Sequence, residues 1–223
     1  MGSAAARGIS SFCGLALALL VASCGGGGGG GDSAAPTYTI GGTVTGLAGT
    51  GRVVQNNGGN HLAVSSSPFT FSTALTSGAA YSVTVLTQPT NPSQTCAVTS
   101  GGSGTVGGAN VTNIAVTCVT NTYTISGTVS GLGGTGPVLQ NNGADDLPLL
   151  VDGTFSFSTP IASGATYSVS VLTQPTNLSQ TCTVTNGTGT VTNANVGNVS
   201  ISCVTNSFTV GGTVSGHNGT GLT

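Results

Sequence analysis

Side chains able to do chemistry are few enough to name individually. Apart from six cysteines, the 223-residue chain carries two histidines (His61, His217), two arginines (Arg7, Arg52) and four aspartates (Asp32, Asp145, Asp146, Asp152). It has no Lys, which removes Schiff-base chemistry, a phosphate-loop lysine and a lysine general base. Charged residues make up 3% of the chain, against about a quarter in an average soluble domain. With no basic patch there is nothing to neutralise phosphates, so nucleic acid is excluded as a partner. A Ser-His-Asp relay needs its three members within hydrogen-bond reach, and a calcium site needs several convergent oxygens, for which Asp145, Asp146 and Asp152 are the candidates.

Whether such groups can meet depends on the elements that carry them, and these repeat. Tyr38-Thr-Ile-Gly-Gly-Thr-Val returns as Tyr-Thr-Ile-Ser-Gly-Thr-Val at Tyr123 and as Phe-Thr-Val-Gly-Gly-Thr-Val at Phe208, a step of 85 residues each time. The segment 81–99 matches 167–185 at 16 of 19 positions. Two complete units therefore span 38–122 and 123–207, and 208–223 is expected to be the truncated start of a third. Within each unit the apolar period is two, as in Phe69/Phe71, Tyr81/Val83/Val85 and Ile114/Val116/Cys118, the pattern of half-buried antiparallel strands. Asn-Asn-Gly at 56–58 and 141–143, Asp152-Gly153 and the Gln-Pro pairs at 88–89 and 174–175 mark turns. About seven short strands per unit predict tandem all-β sandwiches, immunoglobulin-like or prealbumin-like. Mean hydropathy of +0.32 is opposite to the signature of disorder.

The repeat disposes of the catalytic candidates. His61 is the sole histidine of the complete units, its own unit has no acid, and its counterpart in the second unit is Asp146. A relay would have to bridge two units, so no catalytic residue, cofactor or metal is expected, and His61 is read as an exposed loop residue. The three aspartates belong to the second unit alone. Arg52, the sole cation once a leader is removed, is matched by Pro137 and is expected to be the one site open to trypsin. The amides Gln55, Asn56, Asn57 and Gln140, Asn141, Asn142 recur in both units and form the candidate ligand loops, because exposed amides suit sugar hydroxyls; a hairpin turn explains the same residues. Cys96, Cys118, Cys182 and Cys203 fall two to a unit, so the simplest pairing is Cys96–Cys118 and Cys182–Cys203. A loop of that size is worth roughly 3 kcal/mol through restriction of the unfolded chain.

The amino terminus reads as an address. Residues 1–23 hold Arg7 followed by an apolar run, Leu15 to Val21, too short to span a bilayer. Val21-Ala22-Ser23-Cys24 resembles the lipobox of bacterial lipoproteins. That resemblance implies cleavage before Cys24, its acylation, and a membrane anchor; Gly25 after it, in place of Asp, favours the outer membrane. The glycine run 25–31 within the linker 24–37 is a flexible tether reaching roughly 20 Å.

Asp152-Gly-Thr-Phe-Ser-Phe followed by Gly164-Ala-Thr-Tyr-Ser-Val-Ser-Val resembles prealbumin-like surface modules, although the Lys for their isopeptide bond is missing. The unit as a whole, with Gln-Asn-Asn-Gly, Phe-x-Phe and Gln-Thr-Cys, resembles repeats of proteobacterial lipoproteins that place several copies before a β-propeller or other exported domain. The resemblance implies a non-enzymatic, lipid-anchored stalk in the cell envelope that presents a downstream module. A surface adhesin binding glycan or protein through the amide loops, and a fragment of a larger exported propeller or enzyme, are the alternatives.

Overall fold

In a computed structural model, residues 34–216, 218 and 219 are described. The leader, Cys24 and the glycine tether lie outside them.

The first repeat runs β1 (Thr37–Tyr38), β2 (Ile40–Thr45), β3 (Val53–Asn56), β4 (Asn60–Ala63), β5 (Phe69–Thr70), β6 (Leu75–Thr76), β7 (Ala80–Thr87), β8 (Gln94–Ser100), β9 (Ser103–Thr105) and β10 (Val111–Thr120). The second repeats it strand for strand as β11 (Thr122–Tyr123), β12 (Ile125–Ser130), β13 (Val138–Asn141), β14 (Asp145–Pro148), β15 (Gly153–Ser156), β16 (Ile161–Ala162), β17 (Thr166–Thr173), β18 (Gln180–Thr185), β19 (Thr188–Thr190) and β20 (Val196–Thr205). No helix occurs among the described residues. Seven principal strands per repeat are joined by three short ones, β1, β6 and β9 in the first. These are too short and too polar to carry an alternating signal.

One sheet has the order β5-β2-β10-β8 and the facing one β4-β3-β7-β9, with β15-β12-β20-β18 and β14-β13-β17-β19 in the second repeat. This is not the ABED/CFG order of a constant-type immunoglobulin domain. The first principal strand sits inside its sheet next to the last, which is the prealbumin-like alternative. The pairing of β2 with β10 is parallel, as is β12 with β20, so the expectation of antiparallel ladders throughout is corrected at this pair. Apolar alternation fixes which face a strand buries but says nothing about the direction of its neighbour.

Each repeat has its own core. Ile40, Val54, Phe69, Phe71, Val83, Ile114 and Val116 lie at the centre of one, and Ile125, Leu139, Phe155, Phe157, Val169, Val199 and Ile201 take the same places in the other. Phe69 and Phe71 meet edge to face, ring centroids 5.9 Å apart, as do Phe155 and Phe157, a geometry the aromatic quadrupole favours. The Gly of the Gly-Thr-Val motif is dictated by close approach. A Cβ on Gly42 would run into the Ile114 carbonyl, and one on Gly127 into that of Val199. Residues 208–214 form no strand, and Phe208, Val210 and Val214 are exposed. The motif becomes β2 or β12 only when flanked on both sides, and among the described residues 208–214 have no such neighbours.

Candidate functional site

The cysteines are joined as Cys96–Cys118 and Cys182–Cys203. In each case the partners stand directly opposite one another on adjacent antiparallel strands, Cys96 with Cys118 on β8/β10 and Cys182 with Cys203 on β18/β20. The bridges therefore staple two strands within a sheet and do not tie the two layers together.

Two glutamines surround each bridge, and sequence reasoning missed the role of both. Gln88, the first residue of the Gln-Pro pair, donates from Nε2 to the Cys96 carbonyl (3.0 Å) and accepts the Cys96 N–H at 2.7 Å. Gln174 does the same for Cys182. The side-chain amide occupies the free edge of β8 as a neighbouring strand would, satisfying backbone groups that otherwise invite association. Gln94 is 1% exposed. Its Oε1 accepts the N–H groups of Ala48 and Gly49, and its Nε2 donates to the Gly46 carbonyl and Thr120 Oγ1. All four bonds recur around Gln180. The recurring Gln-Thr-Cys triplet was the available signal, but the partners of its Gln lie 25 or more residues away in sequence.

Arg52 is placed where sequence reasoning did not expect it. It is 1% exposed, with Nη1 3.5 Å from Cys118 Sγ and with Nε and Nη2 lacking a hydrogen-bond partner among the described residues. Burial lowers its pKa from the usual guanidinium range. The expectation of an open tryptic site is thus corrected for the folded chain. The Pro137 position opposite it in the second repeat is also buried.

The proposed ligand loops bury two of their six amides, Asn56 and Asn141, while Asn57 and Asn142 stay exposed. Asn57 and Gly58 both take positive φ, 52° and 71°, as a tight type I′ hairpin turn requires. Asn56 and Asn141 are buried, contrary to the expectation of exposed amides, and their Oδ1 atoms accept the Ser82 and Ser168 N–H groups. Asn57 and Asn142 donate to the Ala80 and Thr166 carbonyls. Gln55 donates to Thr84 Oγ1 and Gln140 to Asp146. A cavity of about 190 Å³ beside Asn142 and Asp145 is smaller than the roughly 300 Å³ at which small-molecule sites begin.

The remaining candidates are dispersed. His61 is exposed, but on strand β4 and not in a loop, paired with Gln55. Asp152 accepts the Gly131 and Leu132 N–H groups, while Asp145 accepts from Ser158 and Thr159. Among the described residues no three His, Cys, Asp or Glu side chains gather as metal ligands would.

The most organised polar cluster lies where the repeats join. Asn121, between β10 and β11, donates from its backbone to the Ser93 carbonyl and from Nδ2 to Ser93 Oγ at 2.8 Å. Ser93 N–H donates to Ser163 Oγ at 2.8 Å, Ser93 Oγ lies 3.1 Å from the Tyr123 hydroxyl, and Ser163 N–H donates to the Asn121 carbonyl. Ser163 also donates to the Thr192 carbonyl. The socket half is duplicated at the far end of the second repeat, where Asn206 bonds Ser179 through the same backbone and Nδ2 contacts. There Ser179 and Asn206 are exposed, whereas Ser93 and Asn121 are half-buried. Ser77, the counterpart of Ser163 at the opposite pole of the first repeat, is exposed as well.

Fold and site together define a tandem-repeat all-β protein, each repeat stapled by one disulfide. No known protein family and no curated protein matches the chain. Among solved structures, domains 3–4 of the Streptococcal High Identity Repeats in Tandem from a cell surface protein align over 76% of this chain and all of theirs, at 15% identity and a TM-score of 0.24. The major pilin protein T-13 of Streptococcus pyogenes aligns over 76% of this chain and 97% of its own, at 9% identity and a TM-score of 0.26.

Proposed function

We propose that the chain is a non-enzymatic, lipid-anchored spacer of the cell envelope, placed by Cys24 in the outer membrane and holding a module at the far end of stacked repeats. The observation that carries this reading is the joint. A flexible linker would leave the repeats as independent beads, but three hydrogen bonds among Ser93, Asn121, Tyr123 and Ser163 span this one. At a net 0.5–1.5 kcal/mol each, they hold one relative orientation by about 3 kcal/mol. The same socket recurs at Ser179 and Asn206, beside the point where the opening motif starts again. Disulfides within each repeat suit an oxidising compartment outside the cytoplasm, and acyl chains on one cysteine give stable attachment. The likeness to repeats of proteobacterial lipoproteins belongs to this same reading.

Small-angle scattering of the mature protein tests the spacer. A profile fitted by one fixed inter-repeat arrangement is expected, loosening on Ser163→Ala; a freely jointed profile for the unaltered chain overturns the reading. Palmitate labelling abolished by Cys24→Ala is expected for the anchor, and unchanged labelling would defeat it. Glycan-array binding lost on substitution of Asn57 and Asn142 would favour the adhesin alternative.

A further inference from the structure

The two disulfides share their placement on the strands but differ in their charged surroundings. Both join opposite residues on an edge strand and its neighbour, and both have their backbone held by a glutamine amide. Only Cys118 has a guanidinium nitrogen 3.5 Å from its sulfur. That guanidinium is buried, two of its nitrogens lack partners among the described residues, and residues 38–122 contain no carboxylate side chain to neutralise it. In the second repeat the position is the uncharged Pro137.

An isolated buried cation is costly. Beside a disulfide it faces neutral sulfur and gains little, but beside a thiolate it would have a counter-ion at contact distance. A neighbouring arginine lowers a thiol's pKa, and a thiol of lower pKa is the better leaving group. We propose that Cys96–Cys118 is a thiol-exchange site whose substrate is a small dithiol reductant, with Arg52 as the positioning residue that selects this bridge over Cys182–Cys203.

The exchange balances as follows. One thiolate of the dithiol attacks Cys96 Sγ and forms a mixed disulfide; the Cys96–Cys118 bond breaks, and its electron pair leaves on Cys118 Sγ beside Arg52. The second thiolate of the dithiol attacks its own sulfur in the mixed disulfide, closing a cyclic disulfide and releasing Cys96, which takes a proton from water. Two electrons pass from dithiol to protein. Both cysteines are buried in the closed fold, so access comes through local opening of β8, an edge strand.

The mature chain equilibrated in graded mixtures of reduced and oxidised dithiothreitol, then quenched and differentially alkylated, reports both bridges in one sample. Cys96–Cys118 is expected to be half-reduced at a reduced-to-oxidised ratio about tenfold lower than Cys182–Cys203. Arg52→Met should move the first bridge to the ratio of the second. Equal ratios in the unaltered chain, or a gap that survives Arg52→Met, would overturn the proposal. A purely structural role for Arg52 moves the result the other way, because a loosened first repeat makes its bridge easier to reduce, and that outcome also overturns it. A second readout is the Cys118 thiolate absorbance of the reduced protein against pH. Its midpoint should lie below the ordinary thiol range and rise on Arg52→Met; an ordinary midpoint in the unaltered chain refutes the role given to Arg52.

Discussion

Replacing Gln94 by Leu keeps the volume of the side chain and removes its amide. Four groups lose their partner at once: the N–H groups of Ala48 and Gly49, the Gly46 carbonyl and Thr120 Oγ1. The Gly49 bond is buried and the other three are partly so. A stranded buried group costs about 1–3 kcal/mol, and a partly wetted one about 0.5–1. The sum is roughly 2.5–6 kcal/mol, a large fraction of what a repeat of this size holds at about 0.05–0.15 kcal/mol per residue. For a domain of this length, at about 4–8 °C per kcal/mol, that lowers the melting temperature of the first repeat by at least about 10 °C. Urea unfolding followed by calorimetry measures it, with Gln180→Leu expected to do the same to the second repeat. Gln88→Leu is the contrast, because water can reach the sheet edge that Gln88 covers, and a loss of about 1 kcal/mol is expected there. A cost for Gln94→Leu no greater than for Gln88→Leu would refute the reasoning that burial makes the Gln94 network the stronger one.

Other consequences are simpler to check. Trypsin should leave the native mature protein intact, since Arg52 is buried, and cut it only after unfolding; rapid native cleavage at Arg52 would contradict the placement. Gly42→Ala should cost about 3 kcal/mol or more, because its Cβ has no room against Ile114. Gly58→Ala, with open space around it but a positive φ, should cost about 1 kcal/mol; equal effects in urea melts would refute the packing argument. Removing Cys182 and Cys203 together as serines should lower the stability of the second repeat by about 3 kcal/mol, given a loop of 21 residues.

Much of the fold could be read from residue types because period, turn and repeat all rest on local rules. Phe69/Phe71 and Tyr81/Val83 declared their buried face, and Asn57-Gly58 its turn. What stayed hidden depends on which chain segments become neighbours. The parallel partner of β2 comes from about 70 residues further on, and no local pattern records it. Arg52 reads as exposed because arginine is almost never fully buried; only the layout of the sheets shows that its side chain has no path out. Gln94 opens β8, and an amide that crosslinks a loop has the same letter as one facing water. The candidate site suffered most from this. Repetition singled out Gln55, Asn56 and Asn57 together, but only the fold separates the buried Asn56, which holds the Ser82 N–H, from the exposed Asn57.

The parallel pairing of β2 with β10 has a mechanical consequence for a tethered chain. Tension enters the repeat near Tyr38 and leaves it past Thr120, so it pulls the two neighbouring strands lengthwise in opposite directions. The ladder between them is then loaded in shear, every bond sharing the force, and cannot be peeled open one bond at a time. Should a repeat yield, its disulfide withholds the 22-residue span between Cys96 and Cys118 from extension, roughly 75 Å of contour length at about 3.5 Å per residue. Reducing that bridge would return this length to the chain, so a thiol reductant would change how far the first repeat stretches before it changes whether it folds.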